Sequence, residues 1–129
     1  MDVMWEGLPP LAIIQPANAK DVAAIIRLCV ENGLAVTPRG GGLSYTKGYV
    51  PQNERTVTLD LRRLNRIVEI NIADMYITAQ AGCTWAQLHE ALLDVELRTP
   101  YWGPASGMFA TVGGALSQGS VFFGSGTYG

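Results

Sequence analysis

The sequence predicts an α+β domain in which helices flank a small sheet. Three observations carry that prediction. Short apolar runs alternate with stretches whose apolar residues recur at helical spacing. Glycine and proline, 15 and 7 of 129 residues, punctuate the chain between those runs without any collagen-like or linker repeat. A chain of this length, 48% apolar and 16% charged, buries roughly two-thirds of the surface its unfolded form exposes, enough for one real core.

Ile13, Ile14 and Gln15 read as a short strand that stops at Pro16. Asn18 then serves as an N-cap, with Asp21 in the first turn of the helix that follows. Val22, Ile25, Ile26, Cys29 and Val30 form its apolar stripe, and Gly33 stands where a left-handed C-cap belongs. Ala35 to Thr37 make a second brief strand that runs into Pro38-Arg39-Gly40-Gly41-Gly42-Leu43-Ser44. Beyond a polar loop, Thr56 to Leu61 alternate as a strand, and Ile67 to Ile70 and Tyr76 to Ala79 suit a hairpin turning at Ala73-Asp74. Thr84 with Gln87 has the spacing of a capping box and opens a second helix, buried through Leu88, Ala91 and Leu92. Thr111 caps a third, short helix that carries Gly113 and Gly114 in its first turn.

Composition excludes several functions. Nine Lys and Arg against eleven Asp and Glu leave a net charge of −2, too little cation for a general nucleic-acid binder. Cys29, Cys83 and His89 are too few and too far apart for a disulfide framework or a zinc cluster, so the expectation is no metal and a reducing, cytoplasmic setting. No basic and apolar leader opens the sequence. Thr99 to Gly129 lacks Asp, Glu, Lys, Arg and His, but its eight glycines and two prolines expose backbone instead of closing a membrane helix around it. The better expectation is backbone folded around a ligand.

Two segments are candidates for that contact. Three residues without Cβ let the amides of Gly40, Gly41 and Gly42 turn toward one point and cradle an anion, with phosphate the obvious guest; a tight turn that needs positive φ is the competing account. No Gly-Lys-Ser/Thr follows as in a Walker loop, and Tyr45 occupies the third glycine of the dinucleotide fingerprint. Each glycine after Thr111 costs on the order of 1 kcal/mol in a helix. Close approach of a ligand, an anion at the helix N-terminus above all, offsets that cost, and so does tight packing of chain on chain. Together the two segments suggest one extended ligand carrying phosphate. His89 reads as a surface helix residue, Arg62, Arg63 and Arg66 as a solvated face, and Tyr101 with Trp102 either as partners of an aromatic cofactor or as buried loop anchors.

These motifs resemble a known family. The run from Pro38 to Ser44, then Val57-Thr58-Leu59-Asp60-Leu61-Arg62-Arg63-Leu64-Asn65-Arg66-Ile67, then Ala79-Gln80-Ala81-Gly82-Cys83-Thr84-Trp85, then Ala110-Thr111-Val112-Gly113-Gly114 follow the order and spacing of the FAD-linked oxidases of the vanillyl-alcohol oxidase and p-cresol methylhydroxylase superfamily. The resemblance runs from about Leu11 to Gly129. It implies a PCMH-type FAD-binding domain, with a first lobe over about 11–100, the start of a second lobe over about 101–129, and both the remainder of the domain and a substrate domain outside these residues.

By the same resemblance, backbone amides at Gly40, Gly41, Gly42, Leu43 and Ser44, beside Pro38 and Arg39, bind the FAD pyrophosphate. Gly82, Pro104, Ser106, Thr111, Gly113, Gly114, Ser117 and Tyr128 line the rest of the cofactor. Family members that link FAD covalently use a histidine or a cysteine at the positions of Leu43 and Phe109, so non-covalent FAD is expected. The implied activity is oxidation of an alcohol or 2-hydroxy acid, with hydride passing to flavin N5 and then to an electron acceptor. The partners expected are that small-molecule substrate and the acceptor, with no nucleic acid and no membrane span, and no catalytic acid or base is assigned. A non-catalytic module that binds ADP-containing nucleotides through the glycine loop is the alternative.

Overall fold

A computed structural model describes residues 7–101 and 103–128 of the chain, so Trp102 lies outside the described residues. Strand β1, Ala12–Ile14, leads into helix α1, Ala19–Glu31. Asn18 caps α1 as its sequence requires, accepting from the Asp21 amide at 3.0 Å. At the other end Gly33 takes φ +62, while Leu34 N–H donates to Cys29 O at 2.8 Å and closes a Schellman turn. Val22 and Ile25 are half-buried and Cys29 buried, whereas Ile26 and Val30 of the expected stripe are exposed.

Strands β2, Ala35–Arg39, and β3, Thr56–Asp60, complete a parallel sheet in the order β1-β3-β2. Pro38 sits on the edge strand β2, where a missing N–H costs no ladder bond. All five residues of β3 are buried. Thr56 to Leu61 alternate in sequence, yet a central position between two parallel neighbours closes both faces of β3.

A short 3₁₀ turn at Leu61–Arg63 leads to an antiparallel hairpin of β4, Ile67–Asn71, and β5, Tyr76–Ala79. Asn71 Oδ1 accepts from the Asp74 amide at 2.9 Å inside the connecting turn, where Met75 takes φ +55. Helix α2, Trp85–Leu93, begins with the full capping box between Thr84 and Gln87. Helix α3, Val112–Ser117, is capped by Thr111, and a last turn, α4, covers Ser125–Tyr128. Beneath the hairpin, Cys83, Trp85, Leu88, Ala110 and Ala115 form a core joined by Ile67, Ile77, Ala79, Tyr101 and Val112.

Candidate cofactor site

The glycine loop leaves the C-terminal end of β2, the end at which open parallel sheets receive ligands. Two local demands explain its glycines. Gly42 takes φ +72, a left-handed conformation that side chains resist. A Cβ on Gly40 would strike the Thr111 hydroxyl, and one on Gly41 the Phe109 carbonyl oxygen. The turn account and the packing account are therefore both true of this loop. Neither consumes its donors: among the described residues, no backbone N–H from Gly40 to Ser44 donates to a protein acceptor. Arg39 lies under Gly42, with its guanidinium carbon 5.6 Å from the Tyr49 ring centroid.

Helix α3 behaves differently. Val112 N–H donates to Cys83 O at 2.8 Å, Gly113 N–H to Ala81 O at 2.9 Å, and Gly114 N–H to Thr111 Oγ1 at 3.2 Å. The expected anion site at this helix N-terminus is corrected accordingly, because the protein itself occupies the amides an anion needs. Packing accounts for the glycine at 113, where a Cβ would stand 2.7 Å from that of Ala81. Gly82 is likewise pressed against the Leu61 and Leu64 carbonyls.

The four sequence motifs thus meet at close range, through backbone and short side chains. Gly40 and Gly41 pack on 109–111, residues 111–113 pack on 81–83, and Gly82 packs on the turn after β3. Thr111, only 2% exposed, stands where the glycine loop, the α2 entry and α3 join. Pro104 and Ser106 belong to a turn held to α2 by Ala86 N–H donating to Gly107 O at 3.0 Å, while Ser106 O accepts from Phe109 and Ala110. Ser117 turns inward along its own helix, its hydroxyl donating to Gly113 O at 2.7 Å. Tyr128 lies at a cleft of about 300 Å³ shared with Arg98, Thr99, Pro100, Phe123 and Gly124, a lining that includes no residue of the glycine loop.

Several assignments change with the structure. Arg62 is exposed with Arg63 and Arg66, as a solvated face requires, yet it also grips the buried Asp60 carboxylate through Nε at 2.9 Å and Nη2 at 2.6 Å. Gln15 donates to the same carboxylate at 2.8 Å. These bonds, Arg62 first, hold the Asp60 pKa down at about 2 against the opposing effect of burial. Tyr101 is an anchor, edge-on to Trp85 at 5.2 Å and donating its hydroxyl to Ser120 O at 2.8 Å. His89 is half-buried on α2 instead of lying on the surface. Leu43 in the loop is partly exposed and Phe109 beside it largely so.

One residue of the second glycine segment has a role that its sequence does not show. Gln118, the C-cap of α3, accepts through Oε1 from Ser44 Oγ at 3.0 Å and from Thr46 Oγ1 at 2.9 Å. No local signal could have found it, because the partners are 74 and 72 residues apart.

The geometry is a parallel βαβ unit with an open glycine loop, docked on a second glycine-bearing segment. Residues 10–129 match the family model described as FAD binding domain. The chain is 32% identical to D-lactate dehydrogenase (cytochrome) 1, mitochondrial, of Saccharomyces cerevisiae, over 84% of this chain and 18% of that protein. It is 33% identical to D-2-hydroxyglutarate dehydrogenase of Xanthomonas citri pv. viticola, over 84% of this chain and 22% of that protein. Its fold overlays 4-ethylphenol oxidase from Gulosibacter chungangensis with a TM-score of 0.69 at 30% identity, covering 80% of this chain and 20% of that one. The chain belongs to the FAD-linked oxidase superfamily, within its FAD-binding domain, and FAD is its cofactor. It spans about a fifth of the length of the curated relatives it matches.

Proposed function

We propose that this chain holds the FAD of an oxidoreductase that oxidises an alcohol or a 2-hydroxy acid. The observation that carries the proposal is the row of open amides from Gly40 to Ser44, which fits the pyrophosphate of the cofactor. Those amides and Arg39 would hold the diphosphate, while Gly82, Pro104, Ser106, Thr111, Gly113, Gly114, Ser117 and Tyr128 would line the remainder by shape. The glycines of α3 act there by letting two stretches of backbone close up, not by donating hydrogen bonds. When bound, the cofactor supplies two-electron oxidation of a substrate C–H bond, with hydride accepted at flavin N5. D-lactate and D-2-hydroxyglutarate in the names of two relatives favour a D-2-hydroxy acid over a phenolic substrate.

In this reading the first lobe takes in the two sheets and α2, and the second lobe begins near residue 100 with the segment that carries Pro104 to Tyr128. No helix among the described residues is long and apolar enough to cross a membrane. Two free, buried cysteines, Cys29 and Cys83, agree with a reducing compartment such as the cytoplasm.

Leu43 supplies the test, because its side chain is 43% exposed and its position requires no glycine. Leu43→Asp sets a negative charge beside the diphosphate, whereas Leu43→Asn changes shape and polarity without charge. FAD affinity of the purified protein should fall at least about tenfold in the first and little in the second. Equal affinities for the two variants would remove the pyrophosphate from this loop. Anaerobic bleaching of the flavin absorbance by a D-2-hydroxy acid, and not by 4-alkylphenols, checks the substrate class.

A further inference from the structure

We propose that Gln118 is a positioning residue for the FAD-binding loop, holding its free amides in the arrangement that receives the diphosphate. The inference rests on the pyrophosphate reading of the loop. It starts from a mechanical difficulty: three consecutive glycines have more backbone freedom to lose on ordering than any other triplet, and none of their amides is fixed by a hydrogen bond within the described protein. Something else must fix the outgoing arm of the loop.

That arm is tied at two points to one atom. Gln118 Oε1 accepts from Ser44 Oγ at 3.0 Å and from Thr46 Oγ1 at 2.9 Å. The two hydroxyl oxygens lie 2.9 Å apart, and Ser44 Oγ also accepts from the Thr46 amide at 3.2 Å. Gly48 borders the clasp, since a Cβ there would stand 3.3 Å from Gln118 Nε2. Gln118 is itself well founded: its amide donates to Gly114 O at 3.1 Å, and α3 is fastened to 81–83 through Val112 and Gly113. The incoming arm is held by β2 and by the fit of Gly40 against Thr111. One side of the loop is thus positioned by a strand and the other by Gln118. Ordering that is completed before binding need not be charged against affinity when the cofactor arrives.

The test measures FAD affinity of the purified protein for Gln118→Leu, Thr46→Val and the double variant. Thr46 is outside the set of residues that would touch cofactor. Gln118→Leu should weaken FAD about tenfold, and in the Thr46→Val background it should cost clearly less, because half of the clasp is already gone. In the ligand-free protein, NMR order parameters at Gly40, Gly41 and Gly42 should drop in Gln118→Leu and recover in Gln118→Glu, which keeps an accepting oxygen. A folded Gln118→Leu with wild-type affinity, or additive effects of the two substitutions, overturns the proposal. If Leu43→Asp weakens FAD while Gln118→Leu does not, only the role of Gln118 falls. If both leave FAD affinity untouched, the pyrophosphate reading falls and takes the clasp's function with it.

Discussion

Gly41 and Leu43, two positions apart, answer to different physical demands. Gly41 is small because the Phe109 carbonyl oxygen fills the space a Cβ would take. Gly41→Ala should therefore destabilise the fold by about 1–3 kcal/mol, seen as a lower urea midpoint even without cofactor. Gly41→Asp is for the same reason a poor probe of diphosphate binding, since it breaks the packing before any charge is felt. Asp60 makes a demand of another kind, a buried anion held by Arg62 and Gln15. Its pKa in the folded protein is about 2, below the ordinary carboxylate value, so the stability it contributes is complete above about pH 4 and is lost as pH falls toward 2. Its full size is on the order of 2 kcal/mol, reduced because Arg62 is half exposed to solvent. Asp60→Asn should lower the urea midpoint at pH 7, and the gap from wild type should narrow between pH 4 and pH 2.5. A gap that stays constant over that interval would show that the carboxylate's charge is not what matters.

Elements were legible in the sequence wherever a single residue sets a boundary through its own neighbours. Asn18, Thr84 and Thr111 cap their helices, and Gly33 ends α1 with positive φ, because side chains that bond two or three residues away leave their signature locally. The hairpin turn at Ala73-Asp74 is of the same kind. Thr84→Ala should accordingly cost about 1 kcal/mol, and more than an alanine at the exposed Glu90 of the same helix, both measured by urea unfolding. What stayed hidden depends on which elements become neighbours. The burial of β3 on both faces follows from its place between β1 and β2, and so does the burial of the Asp60 carboxylate, which Gln15 reaches from 45 residues away. The glycines of α3 were visible, but whether their amides face a ligand or Ala81 and Cys83 is decided by a segment 30 residues away. Two glycine motifs with one sequence logic, Gly40 to Gly42 and Gly113-Gly114, thus have opposite hydrogen-bonding fates.

Across the described residues, close backbone approach recurs where the parts join, from Gly41 to the Phe109 carbonyl, from 111–113 to 81–83, and from Gly82 to the end of the 3₁₀ turn. In the proposed site such seams would position FAD by shape and dipole, which needs no covalent bond to it. The two side chains that stand where relatives of this superfamily place a linking histidine or cysteine are Leu43 and Phe109. They are 43% and 68% exposed, so both reach the surface beside the loop, yet neither carries a nucleophilic atom. Cys83 is fully buried within the core, and burial raises its thiol pKa, which suppresses the thiolate that a bond to flavin would require. Cys29 is buried on α1. FAD held by these residues should therefore dissociate once the fold is lost. Acid precipitation of the flavin-loaded protein should leave the yellow colour and the flavin fluorescence in the supernatant, with a colourless pellet. Fluorescence that stays with the polypeptide, and with the peptide spanning Leu43 or Phe109 after proteolysis, would show a linkage chemistry that neither side chain can supply by the known histidyl or cysteinyl routes.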